Sequence, residues 1–145
     1  MDYYLHQVGA PLGAPPVINV PRDEGRYLAI HPFSGSATKN WPLVNFQEVA
    51  RLCPMPIQFC AGPEEVLAGA ERFQSLWEVS EWLASARAYL GNDSGIGHLA
   101  AAIGVPAIVI FRHTDPAIWA PRGPSVTVLQ EPTVSEVLDS LRCLA

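Results

Sequence analysis

The sequence predicts an α/β protein built on a doubly wound parallel sheet. Three observations carry that reading. Short apolar runs alternate with stretches of helical periodicity, and the connections between them are only a few residues long. One run, Pro-Ala-Ile-Val-Ile-Phe at 106–111, is apolar without interruption and rich in β-branched residues, the mark of a central strand buried on both faces. The chain has 145 residues. That is the size of one domain, able to bury about 68–70% of its unfolded surface.

Residues 1–26 carry Pro11, Pro15, Pro16 and Pro21 with Gly9 and Gly13, a composition that sustains neither helix nor central strand. They read as an interdomain-type linker or arm ahead of a domain spanning 27–145. Residues 27–31, Tyr-Leu-Ala-Ile-His, form the first strand, and the polar loop from Ser34 to Asn40 follows. Pro42 opens a helix whose Phe46, Val49, Ala50 and Cys53 share a face, and Pro54 and Pro56 close it before a strand at 57–60. Gly62 and Pro63 are expected to start a short helix through Ala70, with a weak strand around 72–74. Ser75 and Glu78 make a capping box ahead of the stripe Leu76, Val79, Leu83 and Ala86, which leads into a strand at 88–91. Ile96, Leu99, Ala100 and Ile103 then recur at i, i+3, i+4 and i+7, with Asp93 or Ser94 as N-cap and Gly104 and Pro106 as the stop. After the central strand come a last strand at 126–129 and a second capping box, Thr133 with Glu136. Val134, Val137, Leu138 and Leu141 form the buried face of the final helix.

Composition excludes several functions. The net charge is −5 and the nine basic residues are scattered, so the basic stripe of a nucleic-acid binder is missing. Cys53, Cys60 and Cys143 are odd in number with no C-x-x-C spacing, which predicts reduced thiols in the cytosol and no metal held by them. The first residues have neither the basic nor the apolar region of a signal peptide. The longest apolar run, 99–111, is broken by Gly104 and Pro106 and falls short of the ~20 residues of a spanning helix. A cytoplasmic protein is expected. The four histidines lack metal-ligand spacing: His6 and His113 read as surface residues, and His31, at a strand end, as a satisfied core histidine.

In a doubly wound sheet the ligand sits at the carboxyl ends of the strands. Four loops qualify, 32–40, 61–65, 92–95 and 112–116, and they gather most of the polar residues on one rim. Two glycines in the first turn of the helix after Ser94 leave its N–H groups unshielded, so phosphate oxygens can approach a terminus of partial positive charge. The plain alternative is a capped core helix whose glycines only pack tightly. His98 lies in the first turns, near enough to donate to an oxyanion. Lys39, flanked by Ser34, Gly35 and Ser36, suits a point charge on a diphosphate. Glu64 or Glu65 is placed to accept from ribose hydroxyls, or else merely charges a helix start. Gly95-Ile-Gly97-His-Leu-Ala100 also fits the dinucleotide G-x-G-x-x-A pattern with Asp115 downstream, an alternative oxidoreductase reading. Asp93-Ser94-Gly95 matches the aspartic-protease triplet only out of context, and no G-x-S-x-G elbow exists.

Three blocks together resemble glycosyltransferase family 9, the heptosyltransferases of lipopolysaccharide synthesis. They are His-Pro-Phe-Ser-Gly-Ser-Ala-Thr-Lys-Asn-Trp-Pro at 31–42, Gly-Asn-Asp-Ser-Gly-Ile-Gly-His-Leu-Ala-Ala-Ala at 91–102, and Thr-Asp-Pro-Ala-Ile-Trp-Ala-Pro-Arg-Gly-Pro at 114–124. The resemblance covers 27–145, and the proline-rich arm is similar to that family's interdomain segment. It implies the C-terminal, nucleotide-sugar-binding, Rossmann-like half of a two-domain GT-B architecture, with the acceptor half supplied by a fused or separate domain. Ser34, Ser36, Lys39, the backbone at Ser94 and Gly95, and His98 would then meet the diphosphate of an ADP-sugar such as ADP-heptose. Asp93 would anchor the turn or touch the sugar, Asp115 would stand near the nucleotide or sugar, and Glu64 or Glu65 would hold the ribose. The implied chemistry is metal-independent, inverting sugar transfer, with the general base on the other domain and no catalytic residue here. The implied location is cytoplasmic, peripheral to the inner membrane if the pathway is of the lipopolysaccharide type. A stand-alone nucleotide-binding module is the alternative, and an isolated half with an exposed cleft face is a candidate homodimer. Three positions depart from the family pattern: Phe33 for the usual glycine, Gly97 for serine, and Arg112-His113 for Gly-Pro. Phe33 is expected to narrow the phosphate loop, and Arg112 to add a phosphate contact or intrude on the sugar pocket.

Overall fold

The structure, a computed structural model, describes residues 15–23 and 25–144. The first part of the predicted arm and His6 lie outside these residues. Five parallel strands, β1 (Leu28–His31), β2 (Ile57–Phe59), β3 (Ala88–Asn92), β4 (Ala107–Phe111) and β5 (Val126–Gln130), form one sheet in the order β2-β1-β3-β4-β5. The helices are α1 (Leu43–Leu52), α2 (Leu76–Ala84), α3 (Gly95–Ile103), α4 (Pro116–Trp119) and α5 (Val134–Leu144), with a 3-10 turn at Ala37–Lys39. The sheet is doubly wound, as its alternating elements predict.

Alternation along the strands builds two cores. Leu28, Ile30, Ala88, Leu90, Ile108 and Ile110 face α1 and α5, where Phe46, Val49, Val137 and Leu141 cover them. Ala29, Tyr89, Ala107, Val109 and Phe111 face the other way, toward Val79, Trp82 and Leu83 of α2 and Ala100 and Ile103 of α3. A strand covered on both faces gains nothing from polar alternation, which is why β4 reads as continuous apolar sequence. Both capping boxes form. The Thr133 Oγ accepts from the Glu136 N–H at 3.2 Å while Glu136 accepts from the Thr133 N–H at 2.6 Å. Ser75 likewise caps Glu78, whose carboxylate reaches one residue further back, to the Gln74 N–H. Gly104 ends α3 in the left-handed conformation, φ 91°, which a side chain would strain.

Two expectations fail. Residues 63–70 form turns rather than a helix: Glu65 and Ala70 donate to carbonyls only three residues back, and Gly69 turns with φ 76°. The Arg72 guanidinium binds the carbonyls of Gly62 and Glu65, which a helix would turn to N–H groups four residues on. The strand expected at 72–74 reduces to a single parallel bridge, Cys60 with Glu71.

The described part of the arm lies along the domain. Val20 is buried with the α2 and α3 core, the Ile18 N–H donates to Ala102, and Arg22 Nη1 lies 2.9–3.4 Å from the carbonyls of Leu83, Ala84 and Ala86. Arg22 thus closes the C-terminal end of α2, where unpaired carbonyls and the helix dipole favour a cation. Among the described residues no helix is long and apolar enough to cross a membrane.

Candidate functional site

The strand order reverses at β1: its crossover leads outward to β2, while β3 pairs along its other edge. That makes the crevice above β1 and β3 the topological switch point. A cleft opens there in two adjoining parts of about 440 and about 380 Å³. The first is lined by Ser34, Gly35, Ser94, Gly95 and Leu99, the second by Cys60, Gly62, Phe73, Ser75 and Val79. His31, Glu65, Leu76 and Ile96 border both. Ile96 and Leu99, read from their spacing as core positions, stay half-exposed because they wall the cleft instead.

The loop after β1 is self-braced. Ser34 Oγ lies 2.7 Å from Asn40 Oδ1 and 2.8 Å from the Ser36 carbonyl, and it accepts from the Ser36 N–H at 3.3 Å. Ser36 and Thr38 pair their hydroxyls at 2.8 Å. The buried Asn92 side chain accepts from the Trp41 N–H at 2.9 Å and so ties this loop to the end of β3. Lys39 Nζ comes to 3.5 Å from Asp93 Oδ2, and Thr114 Oγ1 donates to the same oxygen at 2.7 Å. Asp93 is nearly buried, so it acts as the anchor of the turn and joins the loops after β1, β3 and β4.

Ser94 is the N-cap of α3, but its side chain caps nothing. The N–H groups of Gly97 and His98 turn back to the Ser94 carbonyl, and those of Gly95 and Ile96 have no backbone partner among the described residues. The result is an uncapped helix terminus beside a lysine. His98, half-buried in the next turn, has its pKa pushed below the ordinary imidazole value, chiefly by burial. Asp93 and a hydrogen bond to the Trp119 backbone act in the opposite sense. His98 is therefore largely neutral at pH 7, with its one N–H engaged by the Trp119 backbone.

Among the predicted ribose acceptors, Glu65 borders the cleft and Glu64 points to solvent outside it. Glu65 Oε1 is engaged by the Gly62 N–H and by His31 Nε2 at 3.2 Å, which leaves its second oxygen without a hydrogen-bond partner among the described residues. His31 is not the satisfied core residue its position suggests: it is buried, but Nδ1 has no partner. Asp115 is held away from the cleft. It is the N-cap of α4 and accepts from the Ala117 N–H at 2.9 Å, so the acid that a dinucleotide fingerprint needs is occupied as a cap. Arg112 does not line the cleft but braces the far end of the loop after β1. Its guanidinium donates to the Asn40 carbonyl at 2.7 Å and faces Glu131 on the far side. Phe33 packs edge-on against the His31 ring, centroids 6.1 Å apart. Cys60, at the floor of the second part, has its thiol pushed up to about 11 by burial and then by the Glu65 charge, so it stays protonated and unreactive.

A doubly wound α/β domain that opens a cleft at its switch point, with loop polar groups, a lysine and an uncapped helix start beside it, is Rossmann-like in fold. The family follows from comparison: the chain belongs to glycosyltransferase family 9 (heptosyltransferase), whose model matches residues 18–139. It is 35% identical over 103 residues to a lipopolysaccharide heptosyltransferase 1 of Pseudomonas aeruginosa, covering 61% of this chain and 29% of that protein. To the Escherichia coli protein of the same name it is 29% identical over 129 residues, covering 79% and 40%. It superposes on the E. coli heptosyltransferase WaaC with ADP at a TM-score of 0.73 and 25% identity, covering 88% of this chain and 47% of that one. E. coli ADP-heptose lipopolysaccharide heptosyltransferase II gives the same TM-score at 16% identity, a likeness of fold. The chain thus spans at most about half the length of each of these proteins.

Proposed function

We propose that this chain is the donor-binding half of a family 9 glycosyltransferase and holds a nucleoside diphosphate sugar, an ADP-sugar of the heptose type, in the cleft above β1 and β3. The observation that carries the reading is the meeting of Lys39 with the uncapped start of α3 around the Asp93 anchor. The diphosphate lies against the N–H groups of Gly95 and Ile96, with Lys39, the 34–36 loop and His98 around it. The nucleoside extends into the second part of the cleft, where the second oxygen of Glu65 accepts from the ribose. The solved relative that carries ADP supports the choice of base. In transfer, the sugar–phosphate bond breaks and negative charge grows on the departing diphosphate. Lys39 and the helix terminus are already oriented toward that charge, so no metal ion is needed to stabilise it. The acceptor and the general base belong to a second domain, fused or separate, facing this cleft.

Calorimetric titration with ADP, UDP, GDP and NADH tests the reading. Saturable ADP binding is expected, weakened about 10-fold or more by Lys39→Ala, because a charge-assisted contact to phosphate is worth roughly 1.5–3 kcal/mol. A folded chain that binds none of the four nucleotides would make it a module that keeps the fold without the ligand. A preference for NADH would restore the dinucleotide reading.

A further inference from the structure

A serine at an N-cap ordinarily turns its hydroxyl onto the N–H groups of its own helix. Ser94 does not, and its Oγ is buried. The group it faces is the hydroxyl of Tyr89, which is wholly buried, and the two hydroxyls have no partner among the described residues but each other. Two glycines let the Tyr89 ring reach that place. A Cβ at Gly91 would overlap the Tyr89 hydroxyl and ring, while one at Gly97 would lie at ordinary contact distance, 3.7 Å, from Tyr89 Cε1. A strand side chain therefore runs over Gly91 and along Gly97 to deliver its hydroxyl under the first turn of α3.

A buried hydroxyl whose sole partner is another hydroxyl does little to hold a fold together. Its position suggests another use. If the Ser94 side chain rotated outward to cap α3, it would take an N–H group that a phosphate oxygen needs. We propose that Tyr89 is a positioning residue for the phosphate site, its hydroxyl keeping the Ser94 side chain turned inward so that the α3 N–H groups stay open to an anion. This rests on the reading of α3 as the phosphate site, and it adds the means by which that terminus stays uncapped.

The test uses Tyr89→Phe, Ser94→Ala and the double variant, each measured by thermal unfolding and by ADP titration. Tyr89→Phe releases Ser94 to cap its own helix: the melting temperature rises and ADP binds about five-fold more weakly, in line with the usual strength of an N-cap. In the Ser94→Ala background the same substitution changes neither quantity. Equal effects of Tyr89→Phe on stability in both backgrounds would reduce Tyr89 to a packing residue and overturn the proposal. So would an unchanged ADP affinity in Tyr89→Phe. The stability half needs no ligand, so a parent chain that fails to bind ADP would sink the phosphate reading without deciding the Tyr89–Ser94 coupling.

Discussion

In the proposed function His98 carries two burdens at once, a place beside the bound anion and partial burial against α4. Because burial holds its pKa below the unfolded value of 6.5, the unfolded chain takes up the proton first as the pH falls. The sign follows directly. Its contribution to stability is complete above the ordinary imidazole value and is lost as the pH drops through that value toward the folded one. Urea unfolding between about pH 7 and pH 5 should show a decline that His98→Gln flattens. An unaltered slope in the variant would assign the decline to other groups. At this scale the sequence placed residues near the cleft better than it separated their roles. Of the residues it singled out, Ser34, Glu65, Ser94 and Gly95 line the cleft, while Lys39, Asp93 and His98 stand beside it at a strand end or helix start. Glu64 and Glu65 were not separable, since only the turn at 62–65 decides which of two adjacent carboxylates faces the cleft. Asp115 stands as the cap of α4, with Pro116 behind it, and because a cap and a ligand contact use the same carboxylate the sequence alone does not separate the two roles.

Helices and strands were read almost to their ends wherever a period and a boundary signal agreed, as in α5 with its Thr133–Glu136 box. That box makes a quantitative statement about the element. Thr133→Ala removes one reciprocal partner and should cost about 1 kcal/mol in denaturant midpoint. A value near zero would mean that the buried contacts of Val137 and Leu141 alone hold the helix start. The segment 63–70 failed for the converse reason: Gly62 and Pro63 look like a helix start, but Arg72 and the Glu65 side chain hold its backbone groups, and no local pattern announces a partner several residues away. The same holds for the 3-10 turn at Ala37–Lys39 and for α4, each shorter than the window over which a period can be seen.

On the scale of the whole molecule, residues 15–26 look like a spacer by composition and yet contribute Val20 to the core and Arg22 to the end of α2. Their prolines exclude regular structure but not docking, so a composition rule marks them as loop and misses the contact. Arg22→Ala should lower stability by about 1–2 kcal/mol in urea unfolding, since three carbonyls lose a charged partner. ADP affinity should hold, because Arg22 touches no cleft residue; a loss of affinity without a loss of stability would contradict that separation.

The carboxylate of Asp93 reaches further than its contacts. It receives Lys39 from one loop and Thr114 from another while fixing its own turn, so three segments far apart in sequence lean on one nearly buried group. Loops tied to a common anchor do not loosen one by one. In hydrogen exchange their amides share a single opening event, and the rim of the cleft breathes as one cooperative unit above a sheet whose own strands open only with global unfolding.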